Sequence, residues 1–361
     1  TRSRSAASAA AAPRSVAMVT SMPRPSPQVS AGRRPATVGL DRFGERKFPR
    51  SRTWGFCYDF SVRSDLASSL SAAGFRGDLL EEEPLAPYTT WRIGGPAEVL
   101  ASPADHDDLT LALRWAAASG VPWRVLGNGS NVLVSDRGIR GLVLRLRRAL
   151  ARIRLDGHRI DAGAGASLPA VASLAASEGL SGLEFAAGIP GTVGGAVIMN
   201  AGWHEHEIGA VVEQVTALEP NGTVAAVDRA GCAFGYRTSA FRGRRAVVLG
   251  AALVLRPDDP ARIRDRLAAY AASRKASQPT DVPTCGSVFL KPEGDFAGRL
   301  IEQAGLKGLR VGDLEVSRKH ANFIVNLGRG SSADALDLVE RIETEVARRF
   351  GVRLAREFET W

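Results

Sequence analysis

The chain has 361 residues, 45% of them hydrophobic and 24% charged, an ordinary globular composition with room for two or three domains. It has no apolar run of about 18 residues that could span a membrane, and its three cysteines, Cys57, Cys232 and Cys285, are too few and too scattered for a disulfide framework. That cysteine usage fits a reducing, cytoplasmic setting. The net charge of +9 invites a nucleic-acid reading, but residues 1–60 hold 11 Lys and Arg against 3 Asp and Glu, leaving 36 against 35 in the rest. The basicity belongs to the first segment, and the globular part lacks the electrostatic footprint of a DNA or RNA binder.

Residues 1–60 are rich in Ala, Ser, Arg and Pro and show no hydrophobic period, which predicts a disordered basic extension. It is superficially similar to an organelle transit peptide and has no apolar stretch for secretion. Globular sequence begins near Asp65. Glu81–Tyr88 reads as an acidic loop leading into Thr89–Gly95, and Ala97–Ala101 as a strand. Asp105–Ser119 is a predicted helix with Leu109, Leu111, Leu113, Trp115 and Ala116 as its apolar stripe and Gly120 at its stop. Trp123–Leu126, Val132–Ser135 and Leu142–Leu146 read as strands, so this part is an α/β unit. Residues 151–162 suggest two short strands turning at Asp156-Gly157, and Ser167–Glu178 a helix. Val211–Leu218 and Thr223–Val227 flank the hairpin signal Pro220-Asn221-Gly222, and Ala246–Leu255 is a long strand. Asp259–Ser277 reads as an arginine-rich connecting helix. Beyond it come predicted helices at Phe296–Ala304 and Ala333–Phe350 and strands at Ala321–Leu327 and Val352–Leu354. After the extension 1–60, three units are expected: 61–147, 148–258 and 259–361.

The stretch Gly182–Trp203 holds six glycines in an apolar, nearly uncharged run. Glycine is entropically costly to order, so such a run implies close backbone approach or unusual dihedrals. A second glycine-rich turn is Leu126-Gly127-Asn128-Gly129-Ser130-Asn131. Together they could cradle a long ligand carrying phosphates, because backbone N–H groups in such turns form anion-binding nests. Neither is a Walker motif or a G-x-G-x-x-G fingerprint. Arg237, in Phe234-Gly235-Tyr236-Arg237, could pair with a substrate carboxylate or simply lie on the surface. Ser287, in Cys285-Gly286-Ser287, lacks the elbow of an acyl hydrolase and by itself reads more readily as a turn residue. His204-Glu205-His206 would place two histidines on one face of a strand, but no third ligand stands at a suitable spacing, so no metal is expected. His320 reads as a structural histidine.

Taken together, six segments in order resemble the UDP-N-acetylenolpyruvoylglucosamine reductase (MurB) family. They are TWRIGGPA at 90–97, VLGNGSNVLVSD at 125–136, GLEFAAGIPGTVGGAVIMNAG at 182–202, FGYRTSAF at 234–241, CGSVFLKP at 285–292, and AGRLIEQAGLKG with VSRKHANFIVN within 297–326. The resemblance runs from about Leu85 onward. It implies an α+β fold: a two-domain FAD-binding fold of the vanillyl-alcohol-oxidase type, followed by a C-terminal α+β substrate-binding domain. It implies FAD as cofactor, NADPH as reductant, and reduction of the enolpyruvyl ether of UDP-N-acetylglucosamine to UDP-N-acetylmuramate in cell-wall precursor synthesis, by a cytoplasmic monomer.

The same resemblance puts the catalytic arginine on Arg237, the proton-donating serine on Ser287 and the catalytic glutamate on Glu357. It puts FAD over Arg92, Ile93, Gly94 and Gly95, over Leu126–Asn131, and over Gly188, Ile189, Pro190, Gly191, Thr192, Gly194, Gly195 and Ala201. Tyr236, Asn200, Arg237 and Ser287 would contact the substrate. Two places depart from the family pattern. Trp203-His204-Glu205-His206 follows Asn200-Ala201-Gly202, where small residues are usual, and Glu357 stands in Arg356-Glu357-Phe358-Glu359, which leaves Glu359 as an alternative. The short interval between FGYR and GSVF lacks an inserted loop, as in the family's shorter second type.

Overall fold

The computed structural model describes residues 65–361, so the expected disorder of the basic extension lies outside the described residues. The Asp65 carboxylate accepts the Ser68 N–H at 2.9 Å and starts helix α1 (Leu66–Ala72). Strand β1 (Asp78–Pro84) pairs antiparallel with β2 (Pro96–Ser102). The acidic loop expected at Glu81–Tyr88 therefore gives way to strand over Glu81–Pro84. It is an edge strand with mostly exposed side chains, so no apolar alternation marks it. Helix α2 (His106–Ala118), capped by Asp105 on the Asp108 N–H at 3.0 Å, leads into β3 (Trp123–Leu126), β4 (Val132–Leu133) and β5 (Ile139–Arg145). The first sheet has the order β1-β2-β5-β3, with β5 parallel to both β2 and β3.

Next come β6 (Ile153–Asp156), β7 (Arg159–Gly163), α3 (Leu168–Ser177), β8 (Leu180–Ser181), α4 (Val193–Met199), and the small hairpin β9 (Gly202–Trp203) and β10 (His206–Glu207). They are followed by β11 (Val212–Leu218), β12 (Val224–Asp228), β13 (Val247–Val254) and β14 (Arg256–Pro257), which pairs with β8. The second sheet is antiparallel throughout, in the order β12-β11-β13-β7-β6. Helix α4 lies inside the glycine-rich run. Its seven residues show no amphipathic period, and its start is set by the Thr192 hydroxyl, which accepts the Gly195 N–H at 3.4 Å.

Helix α5 (Pro260–Ser277) leads to β15 (Thr284–Ser287), α6 (Ala297–Gln303), β16 (Arg310–Val311), β17 (Leu314–Val316), β18 (Phe323–Asn326), α7 (Ser332–Phe350) and β19 (Glu359–Thr360). The third sheet is β15-β18-β17-β16, antiparallel. A capping box between Ser331 and Asp334 opens α7, and Gly351 at φ +68° ends it. Its Leu338, Val339, Ile342 and Val346 are buried at helical spacing, each burial stabilising by about 1.5–3 kcal/mol before chain entropy. The strand expected at Val352–Leu354 forms no ladder; the chain runs on to β19, which pairs in parallel with β4.

One core cluster joins the first two sheets, for example Leu144, Ile160, Val171 and Leu253. A second fills the third unit and draws in Trp91, Ile93 and Leu133 from the first. A third, small cluster of Leu85, Leu126, Val134 and Val143 has Trp361 packed against it. The architecture is the α+β arrangement expected from the sequence. Among the described residues no helix is long and apolar enough to cross a membrane.

Candidate active site

The two glycine-rich segments meet as expected. A cavity of about 270 Å³ is lined by Gly127 and Asn128 on one side and Pro190, Gly191 and Thr192 on the other, with Arg145 and Arg147 at its wall. Gly129 sits at φ +61°, and a Cβ there would lie 2.4 Å from the Tyr88 carbonyl oxygen. Only glycine lets the loop pass so close, and the Gly129 carbonyl in turn accepts the Thr90 N–H at 3.1 Å. At Gly191 a Cβ would stand 3.7 Å from Ser130 Oγ, projecting toward the facing loop. Among the described residues, none of the Gly127–Ser130 N–H groups donates to a protein acceptor. Free backbone donors, a glycine-floored cleft and two arginines fit a pyrophosphate.

The other expected cofactor residues divide. The N–H groups of Arg92, Ile93 and Gly95 are taken by the Thr89 carbonyl (3.3 Å), the Thr89 hydroxyl (3.2 Å) and the Ser135 carbonyl (2.9 Å). Those of Ile189, Gly194 and Ala201 go to Ala186, Ala164 and Ala196. Those six N–H groups are held within the protein and are not free donors. Arg145 and Arg147 were missed because the chain has many arginines. Their signal was a pair of arginines two apart at the end of β5, the strand that lies beside β3 and its glycine loop.

At the far end of Gly182–Trp203 the reactive groups gather. Arg237 has φ +53°, in a tight turn where Gly235 and Thr238 exchange N–H···O bonds of 3.0 and 3.2 Å. Its Nε donates to Glu357 Oε1 at 3.0 Å and its Nη2 to the Gly202 carbonyl at 2.9 Å. Glu357 also donates its backbone N–H to the Val288 carbonyl at 2.9 Å, next to Ser287 on β15. Three distant stretches thus converge on one residue. Burial pushes the Glu357 carboxyl above the usual carboxylate range, against the opposing charges of Arg237 and Arg242. Glu359 is exposed on β19, so the geometry separates the two alternative glutamates.

Ser287 is half-buried and flanked by Gly286 at φ +84°, whose Cα faces open space. Behind it Asn322 grips the strand: its carbonyl accepts the Val288 N–H at 2.8 Å, and its side chain both accepts from and donates to the Phe289 backbone. Cys285, two residues before Ser287, is buried and free, and burial pushes its thiol up. Tyr236 is 54% exposed at the mouth, where its hydroxyl accepts the Lys291 N–H at 3.2 Å.

Asn200, expected at the substrate, is fully buried instead. Its amide donates to the Gly235 carbonyl at 3.0 Å and accepts the Gly209 N–H at 2.9 Å. It fixes the turn that carries Tyr236 and Arg237 from beneath. Sequence reasoning also missed Arg274, a half-buried arginine whose guanidinium lies 5.3 Å from the Trp203 ring with its Nε unpartnered. Burial, then the charge of Arg237, lowers it to about 10, so it stays a cation.

His204 and His206 do not share a strand face. His204 lies in the turn between β9 and β10 at φ +55°, against Trp203, and His206 packs near Phe185 and Tyr270. The Trp203-His206 departure is thus a hairpin whose Gly202 carbonyl holds Arg237. His320 Nδ1 accepts the Asn322 N–H at 3.2 Å, and burial lowers it; it supports the Asn322 grip.

Comparison with known proteins adds to this geometry. Residues 278–361 match the model of the UDP-N-acetylenolpyruvoylglucosamine reductase C-terminal domain, and residues 97–228 that of an FAD binding domain. A protein named UDP-N-acetylenolpyruvoylglucosamine reductase 2, from Symbiobacterium thermophilum, is 47% identical over 79% of this chain and 92% of its own length. The reductase of that name from Rubrobacter xylanophilus is 48% identical over 76% of this chain and 93% of its own. The crystal structure of UDP-N-acetylenolpyruvylglucosamine reductase (MurB) from Thermus caldophilus matches 79% of this chain and 99% of that one, with 39% identity and a TM-score of 0.69. On sequence and fold alike, the chain belongs to the UDP-N-acetylenolpyruvoylglucosamine reductase family.

Proposed function

We propose that this enzyme uses NADPH to reduce UDP-N-acetylglucosamine enolpyruvate to UDP-N-acetylmuramate, a step of peptidoglycan precursor synthesis. The observation that carries the reading is the meeting of Arg237, Glu357 and the Ser287 strand at one place, beside a phosphate-sized cleft. FAD, when bound, supplies hydride transfer between nicotinamide and substrate. Gly127–Ser130 and Gly191–Thr192 would hold its pyrophosphate, with Arg92–Gly95 and Gly188–Ala201 as the walls it lies against.

The chain's own groups handle the charge and the proton. Adding hydride to the terminal vinyl carbon of the substrate leaves negative charge on the adjacent carbon and its carboxylate. Arg237 is placed to offset that charge with a fixed cation already oriented by Gly202 and Glu357, so no reorganisation is needed as it develops. Glu357, with its carboxyl pushed up by burial, can hold a proton and donate a hydrogen bond there. Ser287 delivers the proton to the enol carbon from a strand that Asn322 keeps rigid. Tyr236 offers an exposed ring for the substrate, and Asn200 acts on it only through the turn. We further propose that the enzyme works in the cytoplasm as a monomer and that the described chain divides near 147 and 258.

The test is anaerobic. Purified protein should show flavin absorbance that NADPH bleaches and that returns on adding UDP-N-acetylglucosamine enolpyruvate. Bleaching without recovery removes the substrate assignment. Failure to bind FAD removes the reading of the glycine cleft.

A further inference from the structure

Glu357 is held from two sides. Upstream, its N–H bonds the Val288 carbonyl and the Leu290 N–H bonds the Ala355 carbonyl at 2.8 Å, which ties it to the strand carrying Ser287. Downstream, the chain crosses to the glycine-rich loop. Asn131 Nδ2 donates to the Glu357 carbonyl at 3.2 Å, and the Glu359 N–H donates to the Asn131 carbonyl at 3.0 Å. The pairing continues as the Trp361 N–H bonds the Leu133 carbonyl and the Ser135 N–H bonds the Trp361 carbonyl, each at 2.9 Å.

A parallel pair only two residues long has little stability of its own. Two aromatic anchors hold it. Phe358 is buried edge-to-face on Trp91, with ring centroids 5.7 Å apart. Trp361 packs on the cluster containing Leu126 and Val134, under the Arg124 guanidinium at 5.3 Å. The Trp361 Nε1 is buried without a partner, so the ring serves by packing alone.

We propose that Phe358–Trp361 is a strap that positions the Glu357 carboxyl against Arg237, with Asn131 and Trp361 as positioning residues for the substrate half of the reaction. The strap leaves Glu357 bonded through its N–H to the Ser287 side and through its C=O to the cofactor loop. Without the downstream bonds, Glu357 stays attached to β15 but loses its register against the loop. A side chain joined to Arg237 by a single hydrogen bond then swings out of line. This inference rests on the proposed role of Glu357 in reducing the enolpyruvyl substrate, and it also assigns the Asn131 amide to Glu357, away from the cofactor.

The test measures bleaching by NADPH and reoxidation by UDP-N-acetylglucosamine enolpyruvate for Trp361→Ala, Trp361→Phe and Asn131→Ala, each alone and combined with Glu357→Gln. Trp361→Ala should slow reoxidation at least tenfold while bleaching stays within threefold. The pH limb due to Glu357 should move to lower pH as its carboxyl gains water. Trp361→Phe should restore wild-type behaviour, since no hydrogen bond is lost. In the Glu357→Gln background, Trp361→Ala should add less than a twofold further loss. Full additivity there, or an equal loss of bleaching, overturns the proposal. If Trp361→Ala does not fold, Asn131→Ala carries the same expectation for reoxidation and non-additivity. Loss of bound FAD from that variant would instead make Asn131 a cofactor ligand and overturn its assignment. A wild-type enzyme that bleaches but is not reoxidised fails the functional reading itself, a result distinct from any difference among variants.

Discussion

Replacing Glu357 by Gln isolates what its carboxyl does. Glutamine has the same shape, and its oxygen can still accept from Arg237 Nε across 3.0 Å, so the turn and the strand contacts should survive. What disappears is the charge and the titratable proton. Arg237 remains a cation, so its hydrogen bond to the glutamine oxygen stays charge-assisted and little rate is lost there. Losing a positioned proton carrier costs a factor of about 10²–10⁴. Flavin reoxidation by the enolpyruvyl substrate should therefore slow at least a hundredfold, with bleaching by NADPH nearly unchanged.

The pH dependence follows from the raised carboxyl. Its protonated form persists above the ordinary range, so reoxidation should decline as pH rises through that titration, and the decline should vanish in the Gln variant. Linkage has the same sign. A carboxyl that is harder to ionise when folded stabilises below its unfolded value of 4.5, and that stability is lost as pH rises through the folded value. Glu359→Gln is the control: its side chain is exposed, and its rates should match wild type. Anaerobic rapid mixing, read by flavin absorbance, separates the two half-reactions. A Glu357→Gln enzyme that reoxidises within threefold of wild type, or a Glu359→Gln enzyme that does not, would refute the argument.

Ser287→Ala should likewise retain bleaching and slow reoxidation at least a hundredfold; equal damage to both halves would remove Ser287 as the proton donor. Gly129→Ala puts a Cβ 2.4 Å from the Tyr88 carbonyl at a left-handed residue, so the loop must shift at a cost of about 1–2 kcal/mol or more. It should purify with depleted FAD and a lowered Tm, and full FAD content with an unchanged Tm would contradict this. Glu184 is pushed up by burial but held below its usual range overall by the Gly182 N–H and Arg266, with contacts of 2.7 and 2.8 Å. Glu184→Ala should destabilise by about 1.5 kcal/mol, the low end for a charged hydrogen bond because Arg266 is 40% exposed. That loss is full at neutral pH and fades as pH falls below 4.5, which denaturant melts across pH would check.

Where side chains announce burial, the fold was legible. The stripe of α7, the Asp105 cap of α2 and the hairpin at Pro220-Asn221-Gly222 each follow from local spacing, and all three elements stand within a residue or two of their expected ends. Strand β1 was hidden because an edge strand with solvent on most side chains has no reason to alternate. Helix α4 was hidden because glycines flatten its amphipathic period, and Val352–Leu354 misled because alternation without a partner strand gives only extended chain. At the site, Arg237, Ser287 and Glu357 rested on family resemblance, since 120 residues separate Arg237 from the glutamate it pairs with. No local pattern distinguishes Glu357 from Glu359, which share a face in any extended chain. Only the crossing to β4 turns one inward and leaves the other in water. The burial of Asn200 was not legible for a similar reason: a buried amide and a ligand-facing amide look alike until their partners are seen.

Cys285 turns the site into its own reporter. Its thiol is buried and resists ionisation two residues from Ser287, so an alkylating reagent in the native state can reach it only when β15 comes away from the core. The labelling rate at that sulfur therefore counts openings of the strand that carries the serine, one strand at a time, without any change to the sequence. A ligand that closes the site should protect the thiol in proportion to how firmly it holds the strand shut, which gives a measure of binding that needs no turnover.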